Sequence, residues 1–177
     1  MRIRKPRVSD GRRIWRLVRD SQILDLNSAY CYLLQCRDYA ETAAVAEDAE
    51  GLTGFVTGYR PPDRPDVWFV WQIGVAPRAR GQGLAKRLLR DVLARHDDLR
   101  QIEATIERGN QASRGLFASI ADELHAPIEE TDGFETHHFP DGHEPEPRIH
   151  VGPFAPYSEQ ANIAGKPILN RLSEVRQ

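Results

Sequence analysis

The stretch from Asp66 to Ala94 constrains the fold more than any other. It runs DVWFVWQIGVAP, then RARGQG, then LAKRLLRDVLA. The first part is rich in aromatic and β-branched residues and barely alternates, as a central strand covered on both faces does. The second is a basic turn punctuated by Gly81 and Gly83. In the third, Leu84, Leu88, Leu89, Val92 and Leu93 recur at helical spacing, which gives one apolar face. A strand buried on both sides, leading through a tight turn into an amphipathic helix, requires a layered α/β domain.

The rest of the chain extends that unit. MRIRKPRVSDG reads as a short strand and a turn, with Ser9 or Asp10 placed to cap a helix through Ile14, Leu17 and Val18. ILDLNSAYCYLLQC reads as helical from about Asn27. TAAVAEDAEGLTGFVTGYRPP reads as a hairpin around the Asp48–Gly51 turn. RQIEATIE is a further strand, and Asn110 opens a helix carrying Ala112, Leu116, Phe117 and Ile120. FETHHFP and PRIHVGPF read as two closing strands joined by DGHEPEP. Residues 1–156 form one mixed α/β domain with no internal repeat, and 157–177 are a tail with little periodicity, expected to be loosely held.

Bulk properties narrow the function classes. The 177 residues carry 24 Lys and Arg against 26 Asp and Glu. A net charge of −2 gives no global reason to bind nucleic acid or a membrane surface. No apolar run is long enough to span a bilayer, and the amino end lacks the apolar core of a secretion signal, so a cytoplasmic protein is expected. Arg and Lys crowd residues 2–19, a pattern of a solvated surface more often than of a polyanion site. Cys31 and Cys36 lack a second ligand pair and read as buried thiols. The histidines between His125 and His150 fit no zinc spacing, so no metal is expected.

The glycine turn is suited to an anion. Gly81 and Gly83 permit backbone angles closed to other residues. The unpaired N–H groups of the following helix point back at the turn, where its dipole favours negative charge. Arg78 and Arg80 add positive charge. The turn matches neither the nucleotide P-loop nor the dinucleotide fingerprint. Taken alone, it is also open to the weaker reading of a plain strand-to-helix turn.

In context, Arg-x-x-Gly-x-Gly after Val-Ala-Pro, followed by a helix with Leu-Leu at its centre, resembles the acetyl-CoA motif of GNAT N-acetyltransferases, and the element order up to about Phe154 is similar. The resemblance implies a mostly antiparallel twisted sheet whose central strands splay, flanked by helices. It implies that Ile73, Gly74 and Val75 pair with the pantetheine arm, and that amides from Arg80 through Gly81, Gln82, Gly83 and Leu84 to Ala85 hold the pyrophosphate of acetyl-CoA. Asn110 and Ser113 are expected along the arm. Many members carry a tyrosine that protonates the departing thiolate. Phe117 stands in its place in NQASRGLF, has no hydroxyl, and is assigned to packing beside the cofactor.

LDLNSAYCYLLQC, FVWQIGVA and DGHEPEPRIHVGPF, in that order, resemble the diaminobutyrate acetyltransferases of ectoine synthesis. That resemblance implies L-2,4-diaminobutyrate as the acceptor, acetylated on its 4-amine, and a homodimer. It marks Asp25, Tyr30, Trp71, His143 and Glu146 as the substrate site, with Tyr30, His143 and Glu146 also candidates for moving protons. Without the resemblance, Asp25 is as well read as a helix cap, Tyr30 and Trp71 as core, and Glu144 and Glu146 as solvated charges. Acetylation of another small amine, or acetyl-CoA sensing without chemistry, are the other readings of the same chain.

Overall fold

The computed structural model describes residues 1–140 and 142–164. In chain order it contains strand β1 (Arg2–Arg4), helices α1 (Asp10–Ser21) and α2 (Ala29–Asp38), the hairpin β2 (Ala44–Asp48) and β3 (Gly51–Tyr59), and strand β4 (Val67–Val75). Then come α3 (Leu84–Leu93), β5 (Gln101–Thr105), α4 (Gln111–Glu123), β6 (Ile128–Phe134), β7 (Glu146–Val151) and α5 (Tyr157–Ala164). The strands form one sheet in the order β1-β2-β3-β4-β5-β7-β6, antiparallel except for β4 against β5. β4 is therefore central, as its apolar, hardly alternating sequence requires.

Helices cover the two faces unequally. On one face, Leu84, Leu88, Leu89 and Val92 of α3 and Phe117 and Ile120 of α4 pack on Trp68, Val70, Ile102, Ala104, Ile149 and Val151. On the other, Ile14, Val18, Tyr32 and Cys36 of α1 and α2 pack on Val45 and Phe55. The second cluster contains no residue of β5, β7 or β6. On that face Glu103 and Thr105 of β5 lie opposite His150 and Arg148 of β7. Strand alternation sends Ile102, Ala104, Ile149 and Val151 to the core and these polar side chains the other way.

Two irregularities shape the centre of the sheet. β4 and β5 pair only at Val67↔Gln101, Trp68↔Ile102 and Phe69↔Glu103, and then diverge. Between β3 and β4 the register passes from Gly58↔Val70 to Thr57↔Gln72, so Trp71 has no opposite number. Such a bulge bends the strand and turns consecutive side chains away from plain alternation.

Several expectations need correction. FETHHFP is not a strand: β6 ends at Phe134, and Thr136–His138 form a short 3-10 turn. The strand lies earlier, in IEETDGF, which is almost wholly exposed. It is an acidic edge strand defined by its pairing with β7, so no apolar pattern announces it. The second apolar helix starts at Ala29, where Ser28 caps it by accepting the Cys31 amide at 3.2 Å. Cys36 is buried, but Cys31 is only half-buried; both thiols are free. The segment after Pro156 begins with α5, whose Tyr157 packs on the core, and residues 165–177 lie outside those described.

The basic amino end is partly absorbed into the fold. Asp10 is buried and accepts from Arg4 (2.7 Å), Arg13 (3.0 Å) and the Arg7 amide (2.8 Å). Glu47 takes the remaining faces of Arg4 and Arg13. The hydrogen bonds from these guanidinium groups hold the Glu47 carboxyl down at about 2. The network ties β1, α1 and β2 together.

Candidate active site

The cofactor side is built from main chain. Gly81 and Gly83 have φ of +73° and +68°, in the left-handed region that disfavours side chains. A β-carbon at either would meet nothing within 4 Å, so conformation and not space calls for glycine here. Gly83 caps α3, and the first bond back to the cap is Arg87 N–H to the Gly83 carbonyl at 3.1 Å. The amides from Gly81 to Lys86 consequently find no acceptor among the described residues. Together they form a nest of donors at the positive end of a helix dipole.

The two arginines differ. Arg78 is engaged with the β2–β3 hairpin, bonded to Asp48 and 3.6 Å from Glu50. Arg80 folds back, and its Nε donates to the Val75 carbonyl at 3.2 Å. That contact also shows how β4 is oriented. The Ala76 amide donates to Thr53 in β3 at 2.8 Å, so residue 76 turns its main chain toward β3. Alternation then aims the N–H and C=O of Val75, and of Ile73 two residues earlier, into the gap left by β5. Gly74 turns its own main chain to β3, opposite Phe55. A β-carbon there would stand 2.6 Å from the Phe55 ring and 2.9 Å from Leu24. Among the described residues Ile73 thus offers its N–H and C=O and Val75 its N–H, the Val75 carbonyl being taken by Arg80, while Gly74 supplies room.

A cavity of about 850 Å³ occupies the splay. Its wall includes Asp25, Trp71, Gln72, Ile73, Asn110, Ser113, Phe117 and Glu146. Phe117 is 1 % exposed and belongs to the core while touching the cavity. Asn110 caps α4 by accepting the Ser113 amide at 3.0 Å, and its amide nitrogen has no partner among the described residues.

Asp25 lies before α2 and His143 and Glu146 stand three residues apart where the chain enters β7, yet each of the three offers an atom within 4.8 Å of the other two. His143 stacks on Phe139 at 4.1 Å, and its Nδ1 bonds the Glu144 carbonyl at 2.6 Å. Its Nε2 faces Glu107 (3.7 Å) and Glu146 (3.9 Å). The bond to the Glu144 carbonyl, and then the nearby carboxylates of Glu146, Glu107 and Asp25, raise the His143 pKa above the ordinary imidazole value. On the other side, Thr105 Oγ1 donates to Glu146 Oε2 at 2.6 Å and fixes that carboxylate. Negative groups converging on a pocket beside a free strand edge suit an ammonium or amine.

Tyr30 is the predicted residue that the geometry leaves out. It is 65 % exposed on α2 and does not line the cavity. Two residues on, roughly 200° around the helix, Tyr32 is fully buried. Its hydroxyl donates to Gln72 Oε1 at 3.0 Å, while Gln72 Nε2 donates to the Asp25 carbonyl at 2.9 Å. Tyr32 and Gln72 therefore pin the loop that carries Asp25 to the bulge of β4, and the sequence reading passed over both. The signal lay in motifs already quoted, AYCY and FVWQ, where a polar glutamine sits in an otherwise apolar strand. Glu103, 3 % exposed and bound to Arg64 at 2.6 Å, was also missed, although alternation in QIEAT marks it as polar-face.

Comparison with known proteins agrees with this geometry. Residues 12–121 match the acetyltransferase (GNAT) family. The L-2,4-diaminobutyric acid acetyltransferase of Streptomyces coelicolor is 48 % identical over 160 residues, 88 % of this chain and 94 % of that one. The enzyme of the same name from Halomonas elongata is 43 % identical, over 86 % of this chain and 81 % of that one. Among solved structures, diaminobutyrate acetyltransferase EctA from Paenibacillus lautus, in complex with L-2,4-diaminobutyric acid and coenzyme A, superposes with a TM-score of 0.83 at 41 % identity. It covers 86 % of this chain and 95 % of its own. A phosphinothricin acetyltransferase from Sinorhizobium meliloti shares the fold alone, with a TM-score of 0.66 at 19 % identity. Sequence, splayed sheet and amide nest agree, and the chain belongs to the GNAT acetyltransferases, within the group of L-2,4-diaminobutyric acid acetyltransferases.

Proposed function

We propose that the protein transfers the acetyl group of acetyl-CoA to the 4-amine of L-2,4-diaminobutyrate, releasing CoA and N4-acetyl-L-2,4-diaminobutyrate. One observation carries the reading. The free main chain of Ile73 and the Val75 N–H lie between an amide nest for a pyrophosphate and an acidic pocket for an amine. A thioester laid along β4 brings its carbonyl to that pocket. A main-chain N–H on the splayed strand polarises the carbonyl oxygen.

The chemistry follows from charge. The substrate amine arrives protonated and attacks only as the free base. Glu146, fixed by Thr105, takes its proton, and His143 relays it outward. Asp25 holds the ammonium before transfer, and the Trp71 ring closes the pocket. Addition gives a tetrahedral intermediate that expels the CoA thiolate. A thiol pKa near 8.5 makes that departure feasible without an acid at Phe117.

The product enters ectoine synthesis, and the enzyme works in the cytoplasm as a homodimer. Among the described residues no helix is long and apolar enough to cross a membrane.

The test is CoA release from acetyl-CoA with a panel of amines, with the product identified by mass spectrometry and NMR. N4-acetyl-diaminobutyrate as the preferred product is the expected result. Preference for a polyamine or amino sugar, or binding of acetyl-CoA without turnover, overturns it.

A further inference from the structure

The geometry points to Arg148 as the residue that reads the carboxylate of the amino-acid substrate and so sets specificity against simple diamines. The inference rests on the acceptor proposed above. Diaminobutyrate brings one carboxylate and two amines, and the acids of the pocket account only for the amines. Among the described residues two cationic side chains line the cavity, Arg64 and Arg148. Arg64 is committed, its Nη1 donating to buried Glu103 at 2.6 Å. Arg148 makes no side-chain hydrogen bond and no ion pair among the described residues, although it is half-buried. A guanidinium held partly out of water with its five donors unused is a vacancy for an anion.

Its position matches the substrate. Arg148 and Glu146 sit two residues apart on β7, so their side chains leave the same face at roughly 6.6 Å spacing. Thr105 lies directly opposite Arg148 and bonds the Glu146 carboxylate. The two ends of a four-carbon diamino acid extend over a similar length. With the 4-amine at Asp25 and Glu146, the carboxylate falls at Arg148. The reacting end and the recognised end are thereby kept apart, which also directs acetylation to the 4-amine and not the 2-amine. A planar fork suits a carboxylate in a way a lysine ammonium does not.

The experiment compares wild type, Arg148→Met and Arg148→Lys in kcat/KM for diaminobutyrate and in the inhibition constant of 1,3-diaminopropane, the diamine of the same spacing without the carboxylate. Arg148→Met should lower kcat/KM for diaminobutyrate about 10- to 100-fold. The KM for acetyl-CoA and the inhibition constant of 1,3-diaminopropane should stay as in wild type, and Arg148→Lys should recover part of the loss. Equal loss toward diaminobutyrate and 1,3-diaminopropane assigns Arg148 to structure and overturns the inference, as does an unchanged kcat/KM. If wild type prefers another amine, it is the acceptor assignment that fails, which this comparison shows separately.

Discussion

Replacing Gln72 by Glu tests whether the acceptor site depends on the side chain that anchors the Asp25 loop to β4. In the protein, Gln72 Nε2 donates to the Asp25 carbonyl at 2.9 Å and Oε1 accepts from buried Tyr32 at 3.0 Å. The Tyr32 hydroxyl also accepts from the Asn27 amide, at 3.4 Å. Glutamate keeps an acceptor for Tyr32, so the core contact survives. It cannot donate to the Asp25 carbonyl, and it sets a negative oxygen against another acceptor. Loss of one net hydrogen bond costs about 0.5–1.5 kcal/mol at this exposed contact. That energy falls on the loop of Asp25 and not on the core. KM for diaminobutyrate should rise roughly 2- to 12-fold. KM for acetyl-CoA should be nearly unchanged, since the contacts proposed for it are main-chain groups of β4 and the glycine turn. Steady-state kinetics with each substrate varied, together with a thermal melt, decide the matter. An unchanged KM for diaminobutyrate, or equal rises in both constants with a large fall in Tm, would refute the clamp.

Other substitutions separate backbone from side-chain contributions. Gly83→Ala places a β-carbon in a left-handed conformation at a cost of about 1–2 kcal/mol, with no clash. Calorimetry should show weaker acetyl-CoA binding, and Gly83→Asn should be milder because asparagine tolerates that conformation. Arg80→Ala should weaken acetyl-CoA binding more than Arg78→Ala, because Arg78 is held by Asp48 and Glu50; the reverse order in a titration would return Arg78 to the phosphate site. Asp10→Asn removes the buried centre of the Arg4–Arg13–Glu47 network and should cost about 3 kcal/mol, read as a Tm lower by roughly 6–12 °C. Wild-type stability from this network is present above the ordinary carboxylate range. It is lost as pH falls toward 2, because Asp10 and Glu47 both have lowered pKa values in the folded state.

How much was legible in the sequence depended on what each residue answers to. The Val67–Val75 strand and the α3 helix obey local rules of apolar patterning, and both were read correctly. The glycine turn was legible because positive φ is a demand of the backbone itself. β6 was not, since IEETDGF has no buried face and becomes a strand only because β7 pairs with it. The placement of Tyr30 and Tyr32 turned on the rotation of one helix. Either tyrosine of AYCY satisfies the motif, and only packing of α2 on α1 selects Tyr32 for the interior. Asp25, His143 and Glu146 are more than a hundred residues apart at the extremes, so their convergence came from resemblance and not from spacing.

The same division explains how the site tolerates Phe117. In the proposed complex acetyl-CoA meets main-chain groups from Ile73 to Lys86, which a change of side chain leaves largely in place as long as the glycines remain. In the proposed site the acceptor meets side chains from two segments, each side chain or its loop held by a further residue: Asp25 by Gln72, Glu146 by Thr105, His143 by the Glu144 carbonyl. Phe117 stands on the cofactor side, buried in the core of α3 and α4. A hydroxyl at that position would need a partner to offset its burial. The thiolate is already a competent leaving group, so an acid there adds little to the barrier that matters. In the proposed reaction the step that calls for charged groups is removal of a proton from the amine, and Asp25, His143 and Glu146 gather in one cluster to meet it.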